Sequence, residues 1–318
     1  MPATSALTSL RDKVAIVSGG GGGLGREYAL LLAAYGAKVV VNDYGGDLEG
    51  RRGTISRAQL VVDEIVSKGG VAIADDHDVS QQTEAYAIIE DAIKVYGTVH
   101  ILVNNAGTAG QMSSHDNVNI PSFRRVWEIA ALGSVMLLSA VYPIMEKQGY
   151  GRIINTSSDS IYGLGAGGDA SYCSSKGAIF AMTKDLGKFS LRHGIKINGV
   201  LPSAASRMSD MSPTIKKITR TYFATELVAP FVCALAAEEC PVSGELFSVG
   251  GGRAARTTLA TFPGHCNEKT AEGYLEHFNE VMGAAEDAYI PSDCLDQVSY
   301  AIKHATGLDP GKFVLDEI

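Results

Sequence analysis

Tyr172 and Lys176 stand four residues apart in Ser171-Tyr172-Cys173-Ser174-Ser175-Lys176, at the head of a segment whose apolar residues Ile179, Phe180, Met182 and Leu186 recur at helical spacing. On a helix, positions four apart share one face. A phenol ionises near pH 10, so its use as a base near neutrality requires a depression of about 3 units, equivalent to about 4 kcal/mol. An ammonium about 4 Å away supplies about 4 kcal/mol at an effective dielectric of 20. The pair is adequate for general acid–base work.

A second group of residues points to a dinucleotide. Val17-Ser18-Gly19-Gly20-Gly21-Gly22-Gly23-Leu24-Gly25 lies between an apolar strand and an apolar-faced helix, which is no place for a linker. Gly25 is followed by Arg26 and Glu27 rather than Lys-Ser/Thr, so a triphosphate loop is excluded. What remains is a strand–turn–helix whose free amides and positive helix end receive a pyrophosphate. Two spacings fit, GxGxxG at Gly20, Gly22 and Gly25, and GxxxGxG at Gly19, Gly23 and Gly25. The second strand runs into Val41-Asn42-Asp43, where a carboxylate can accept the adenosine ribose hydroxyls and repel a 2′-phosphate. NAD is preferred over NADP on this ground, with Arg51 and Arg52 in the following loop as the residues that could reverse it.

Other residues of interest sit where strands end. The run Arg152 to Thr156 leads into Ser157-Ser158-Asp159-Ser160, and the run His100 to Val103 into Asn104-Asn105-Ala106-Gly107. In open parallel sheets, ligands bind at these carboxyl ends.

The elements that must position these groups alternate along the chain. Short β-branched runs at Val14 to Val17, Lys38 to Asn42, Val71 to Ala74, His100 to Val103, Arg152 to Thr156, Lys196 to Leu201 and Glu245 to Val249 are separated by helix-length segments. This pattern predicts right-handed βαβ units and a doubly wound, seven-stranded parallel α/β sheet over residues 1–253. Beyond Gly250-Gly251-Gly252, residues 254–318 carry helical spacing at Leu275, Phe278, Val281 and Met282, then at Leu295, Val298 and Ile302. An extension this short is expected to pack on the main domain or on a partner subunit.

Composition narrows the partners. The chain of 318 residues is 46% hydrophobic and 19% charged with a net charge of -8, a balance suited to a folded enzyme and unsuited to nucleic acid or anionic lipid. The five scattered cysteines have no disulfide or zinc spacing. Residues 1–13 lack the apolar core of a secretory signal, and the sequence predicts no apolar run approaching the ~20 residues of a membrane span, so a cytoplasmic location is expected.

Taken together, Ser18-Gly19 through Gly25, Asp78-Val79, Asn104 to Gly107, Ser158, Tyr172 with Lys176, and Pro202-Ser203 resemble the short-chain dehydrogenase/reductase family over about residues 9–253. The resemblance implies a Rossmann-type domain, a nicotinamide cofactor and a homodimer or homotetramer. It implies that Tyr172 moves the hydroxyl proton, Ser158 orients the alcohol or carbonyl oxygen, and Lys176 binds the nicotinamide ribose and lowers the tyrosine pKa. The cofactor residues it implies are Gly19, Gly23, Leu24, Gly25, Asp43, Asp78 and Val79 around the adenosine and pyrophosphate, with Asn104, Asn105, Ala106, Gly107, Tyr172, Lys176 and Pro202 further along.

Within the family, Val41 to Asp47, Gly149 to Ile154 and Ala205-Ser206-Arg207-Met208 resemble the dehydrogenase region of peroxisomal multifunctional enzyme type 2, which implies a bulky apolar substrate, a hydroxyacyl-CoA or hydroxysteroid. Three departures stand out. Ala130 occupies a position where the family often has an Asn that holds a relay water. Ser158 precedes Tyr172 by fourteen residues instead of thirteen, with Gly163 to Gly168 lengthened and Ser157 or Ser160 as alternatives. Thr108-Ala109-Gly110-Gln111 lacks the Leu-Arg-Asp pattern of the multifunctional enzymes.

Met208, Met211, Ile215, Ile218 and Phe223 suggest an apolar lid or ordinary helix packing. Lys216, Lys217 and Arg220 are candidates for the rim of a CoA site or a solvated helix face.

Overall fold

Apolar runs that carry β-branched residues on both alternating faces can form only strands covered on both sides. In the computed structural model, which describes residues 8–52, 56–111, 113–163 and 170–311, those runs become β1 (Val14–Ser18), β2 (Lys38–Asn42), β3 (Val71–Asp75), β4 (Ile101–Asn104), β5 (Gly151–Thr156), β6 (Ile195–Pro202) and β7 (Leu246–Gly250). An eighth strand, β8 (Arg253–Thr257), extends the sheet to the order β3-β2-β1-β4-β5-β6-β7-β8. The seven-strand expectation missed it because Arg253-Ala254-Ala255-Arg256-Thr257 is a mostly exposed edge segment with no apolar alternation.

The helices between the strands are α1 (Gly23–Ala34), α2 (Arg57–Ser67), α3 (Gln82–Tyr96), α4 (Ile120–Trp127), α5 (Gly133–Gln148), α6 (Ala170–Phe189), α7 (Pro213–Tyr222) and α8 (Ala229–Ala236). Along β1, Ala15 and Val17 point into a core with Tyr28 and Leu32 of α1 and Val232 of α8. Ile16 points the other way, into a core with Ile88 of α3 and Leu137 and Val141 of α5. Burying each such Ile or Leu contributes about 1.5–3 kcal/mol. The two cores clamp the sheet and hold its strand ends in register.

All pairings from β3 through β7 are parallel, with Val17 opposite Val41 on one side and opposite Val103 on the other. The order reverses between β1 and β4, so the loops after these two strands part and leave a crevice at their carboxyl ends.

Helices α4 and α5 are joined through a π-helical turn, Glu128–Leu132. The resulting helical stretch Ile120–Gln148 is long and apolar enough to cross a membrane by composition, contrary to the sequence reading. Half of its apolar window is buried, as in the core helix of an α/β domain.

The chain divides into residues 1–256 and 257–318. The second unit contains α9 (Ala271–Glu276), α10 (Phe278–Met282) and α11 (Cys294–Thr306). Where the spacing at Leu275 to Met282 predicts one amphipathic helix, the chain breaks it at His277. An antiparallel bridge joins Thr261 to Tyr289, and the Tyr289 ring stacks on Tyr300 of α11 at 4.2 Å.

Candidate active site

The glycine-rich turn leaves β1 and enters α1 at the crevice. Gly25 lies so close to the Gly19 carbonyl and to Asn105 Nδ2 that a Cβ there would overlap both, whereas Gly22 is extended and a Cβ on it would meet nothing. Gly23 opens the helix at φ +51, in the left-handed region that a glycine enters most easily. The backbone therefore demands glycine in the GxxxGxG spacing of Gly19, Gly23 and Gly25, and Gly22 is left facing open space at the amide end of α1.

The loop after β4 closes the other side of the turn. Ser18 Oγ accepts from the amides of Asn105 and Ala106 at 3.0 and 3.1 Å, and Asn105 Nδ2 donates to the carbonyls of Ser18 and Gly19. Asn105 thus shapes the turn with its side chain. Asn104, expected to line the cofactor, is 2% exposed and turned into the protein, with its amide on Asn155 Oδ1 at 2.9 Å.

Asp43 follows β2 and accepts from Gly21 N at 2.9 Å and Gly45 N at 2.8 Å. Its charge is fixed against the glycine turn. Arg51 pairs with Asp47 and Glu49, and Arg52 pairs with Asp76 while lying over the Tyr44 ring, so both are neutralised by carboxylates. Two cations unforeseen from the sequence gather at the same place. Arg57 and Arg207 both reach the Gly46 carbonyl, at 3.0 and 3.4 Å. Desolvation and the Arg57 charge lower the Arg207 pKa, against the pull of Asp43 and Asp47.

Asp78 is buried, and its carboxylate is spoken for by Ser80 N at 2.9 Å, Ser80 Oγ at 2.7 Å and Arg125 Nη2 at 2.9 Å. Burial opposes its ionisation, but these hydrogen bonds and the guanidinium outweigh it and hold the carboxyl below its ordinary range. Arg125, on α4, also donates to the Gly50 carbonyl at 3.1 Å. It joins Asp78 to the loop that follows Asp43. Nothing in the sequence flags this residue, because its partners are far away in the chain. Val79 is buried beside Gly133 of α5.

On α6, Lys176 is 3% exposed, donates from Nζ to the Thr156 carbonyl at 2.8 Å, and lies 5.6 Å from the centroid of the Tyr172 ring. Burial lowers its pKa to about 8. A Cβ on Gly107 would lie 3.6 Å from Nζ, so the loop after β4 passes beside the ammonium. Ser158 caps the short 3-10 turn Asp159–Tyr162, its Oγ accepting from Ser160 N at 3.1 Å, which leaves its proton to donate elsewhere. Ser157 is buried and donates to the Lys176 carbonyl at 2.8 Å, so it is committed to holding α6. The Ser160 hydroxyl is buried without a hydrogen-bond partner. Most of the expected lengthening between Ser158 and Tyr172, residues 164–169, lies outside the described residues.

A buried polar chain sets α6 against the sheet. Asn104 donates to Asn155 and to the Ser134 carbonyl, and Asn155 Nδ2 donates to Thr183 Oγ1 of α6 at 2.9 Å. Ser134 Oγ in turn donates to the Ala130 carbonyl at 2.7 Å, inside the π-helical turn. A polar Asn within the apolar β5 run was the available sequence signal. Ala130 itself is fully buried and offers no side-chain hydrogen bond there.

At the end of β6, Pro202 is half-buried, and just past it Ser203 Oγ lies 3.2 Å from Asp159 Oδ2. Ile215 and Ile218 on α7 are 45% and 46% exposed. Phe223 packs beside Gly250 and Gly251. The Met211 side chain lies outside the described residues. Arg220 pairs with Asp210 at 2.7 Å, and Lys216 and Lys217 are exposed.

This arrangement has known counterparts. The short chain dehydrogenase family matches residues 13–218. The chain belongs to that family. As a short-chain dehydrogenase it is an oxidoreductase acting on alcohols. It is 36% identical over 281 residues to the peroxisomal hydratase-dehydrogenase-epimerase of Saccharomyces cerevisiae, covering 86% of this chain but only 30% of that protein. A short chain dehydrogenase from Mycobacterium avium superposes with a TM-score of 0.74 at 31% identity, covering 88% of this chain and 97% of the other. A 7α-hydroxysteroid dehydrogenase complexed with NADH and 7-oxo glycochenodeoxycholic acid superposes with a TM-score of 0.67 at 31% identity, covering 77% and 96%.

Proposed function

We propose that this short-chain dehydrogenase uses NAD to interconvert a secondary alcohol and a ketone on a bulky apolar substrate, of hydroxyacyl-CoA or hydroxysteroid type. One observation carries the chemistry, the buried Lys176 ammonium beside the Tyr172 ring. A cation fixed there favours the phenolate, because both charges lie in a medium less screening than water.

The residues present fit a dinucleotide. The glycine turn brings backbone amides to the N-terminus of α1 with open space over Gly22, and Asp43 stands beside it at the end of β2. Gly19, Gly23, Leu24 and Gly25 would hold the pyrophosphate, Asp43 the adenosine ribose, Asp78 and Val79 the adenine, and Gly107 with Lys176 the nicotinamide ribose. When bound, NAD supplies the acceptor for a hydride from the carbinol carbon. Ser158 donates its hydroxyl to the substrate oxygen and orients it. Tyr172 takes the hydroxyl proton as the carbon–oxygen double bond forms, and returns it in ketone reduction. Asn155 and Thr183 keep α6 in position throughout.

NADP is the second reading, favoured by Arg57 and Arg207 converging on Gly46 beside Asp43. The fixed Asp43 charge and the carboxylate partners of Arg51 and Arg52 favour NAD. The superposed 7α-hydroxysteroid dehydrogenase, which holds NADH and an oxo-steroid, and the peroxisomal relative support the substrate class. Assembly as a homodimer or homotetramer belongs to the same reading and is measured by light scattering. The deciding experiment follows nicotinamide absorbance while secondary alcohols, hydroxysteroids and 3-hydroxyacyl-CoA thioesters are offered with NAD or NADP. Turnover with NAD on a bulky alcohol is expected. Turnover only with NADP, or with none of the alcohols, rejects it.

A further inference from the structure

Outside the catalytic crevice, the second unit gathers a set of side chains whose donor atoms suit a metal. His265 precedes α9, His277 sits between α9 and α10, and Glu280 follows three residues later on α10. One nitrogen of each imidazole and a carboxylate oxygen of Glu280 all lie within 4.8 Å of one another. The two rings are parallel, 4.2 Å apart with 4° between their planes. His265 Nδ1 is 2.8 Å from one Glu280 oxygen and His277 Nδ1 is 2.9 Å from the other. Both nitrogens therefore aim at one carboxylate.

A fourth donor is close. Glu268 Oε2 lies 3.9 Å from His265 Nε2, while its other oxygen is fixed by Lys269 N, Thr270 N and Thr270 Oγ1. His265 is the more enclosed of the imidazoles, with 17% of its side chain exposed, and Glu280 the most open of the set at 58%.

We propose that His265, His277 and Glu280 bind a single divalent transition-metal ion of the zinc class, as a structural site of the C-terminal unit. Two imidazoles and a carboxylate select zinc, cobalt or nickel over magnesium or calcium. Metal–nitrogen and metal–oxygen bonds of about 2.0–2.2 Å place tetrahedral ligand atoms about 3.3 Å apart, so the two nitrogen–oxygen separations open by about half an ångström and the parallel rings turn so that both nitrogens face one ion. Each imidazole coordinates through a nitrogen without its proton, and any proton displaced leaves to solvent.

An independent observation says why such a site is needed. Among residues 258–311 no apolar side chain is buried, and Leu259, Leu275, Phe278, Met282 and Leu308 are all more than half exposed. Cys266 and Cys294 are free thiols. A unit of this size without a core or disulfide is characteristically held by a metal or by oligomerisation. The three proposed ligands join the loop before α9 to α10, where an ion would staple the unit.

The test uses the full-length protein, stripped with chelator and titrated with Co²⁺, with visible absorption as the readout. Limited trypsin digestion, with and without Zn²⁺, follows the same unit through cleavage after Lys269 and Lys303. Expected are saturation at one Co²⁺ per chain with a tetrahedral spectrum, and tryptic cleavage in this unit slowed about tenfold or more by Zn²⁺. The double variant His265→Ala/His277→Ala loses both effects. Glu280→Gln, which preserves shape and hydrogen-bonding capacity, weakens Co²⁺ binding while circular dichroism stays that of the wild type. Absence of a cobalt spectrum in the wild type, equal binding by the double variant, or digestion indifferent to Zn²⁺ overturns the proposal and leaves a hydrogen-bonded histidine pair.

Discussion

Replacing Lys176 by Met removes the buried ammonium and keeps most of the side chain's length and volume. Burial lowers the Lys176 pKa from the ordinary 10.5 to about 8, a depression of about 2.5 units, equivalent to about 3 kcal/mol at about 1.4 kcal/mol per unit. The sign follows from counting protons. Between pH 8 and 10.5 the unfolded chain holds this proton and the folded chain does not, so stability rises with pH across that window. Below pH 8 the folded protein bears the full cost of the buried charge. The variant escapes that cost but loses the hydrogen bond to the Thr156 carbonyl, worth about 1 kcal/mol. Lys176→Met is thus expected to be more stable than the wild type by about 2 kcal/mol at pH 7, and slightly less stable at pH 11. Urea denaturation followed by circular dichroism should show a midpoint raised by about 0.5–1 M at pH 7, given a slope of about 2–3 kcal/mol/M. Turnover should fall by roughly two orders of magnitude, because an ammonium 5.6 Å from the ring supplies about 3 kcal/mol of phenolate stabilisation at an effective dielectric of 20, and that is gone. A variant less stable at pH 7, or a stability difference unchanged between pH 7 and 11, would refute the reasoning.

Two further predictions concern the cofactor end of the crevice. Asp43→Asn removes the charge and keeps one of the two oxygens that accept from Gly21 N and Gly45 N, so one of these amides loses its partner, and the variant should raise kcat/KM for NADP relative to NAD by about tenfold or more, since about 1.4 kcal/mol of lost repulsion suffices; an unchanged ratio in steady-state assays rules out the carboxylate as the discriminator. Arg125→Leu leaves the buried Asp78 carboxylate without its guanidinium and frees the loop at Gly50, so stability should drop by about 3 kcal/mol and NADH binding, read by fluorescence titration, should weaken; wild-type affinity and stability would show that the bridge is idle.

The parallel core of the fold was legible because its strands are buried on both faces. A strand in that setting shows as a β-branched run whichever way its side chains alternate, as in Val39, Val40 and Val41. Strand β8 escaped because an exposed edge needs no apolar signature, and Arg253 and Arg256 gave it a charged one. The same limits govern the crevice. Tyr172 and Lys176 could be paired from spacing because the helix sets their geometry, whereas the partner of the ammonium, a main-chain carbonyl of Thr156, belongs to another strand and leaves no mark on residue type. Five consecutive glycines fit two registers in sequence that share Gly25, and only the left-handed backbone of Gly19 and Gly23, against an extended and unobstructed Gly22, separates them. Asn104 read as a cofactor neighbour because it ends a strand, but its side chain turns to Asn155, a pairing that depends on the β4–β5 register. Arg125 was invisible for the same reason, since its meeting with Asp78 and Gly50 is created by tertiary packing.

The proposed chemistry needs Tyr172 to act as a base beside the buried Lys176 ammonium. Its most direct test is Tyr172→Phe, assayed for NADH binding by fluorescence and for NAD reduction with whichever secondary alcohol the wild-type enzyme turns over. Cofactor affinity within about twofold of wild type, with turnover reduced by about a thousandfold or more, is the expected result. Turnover equal to that of the wild type would contradict it.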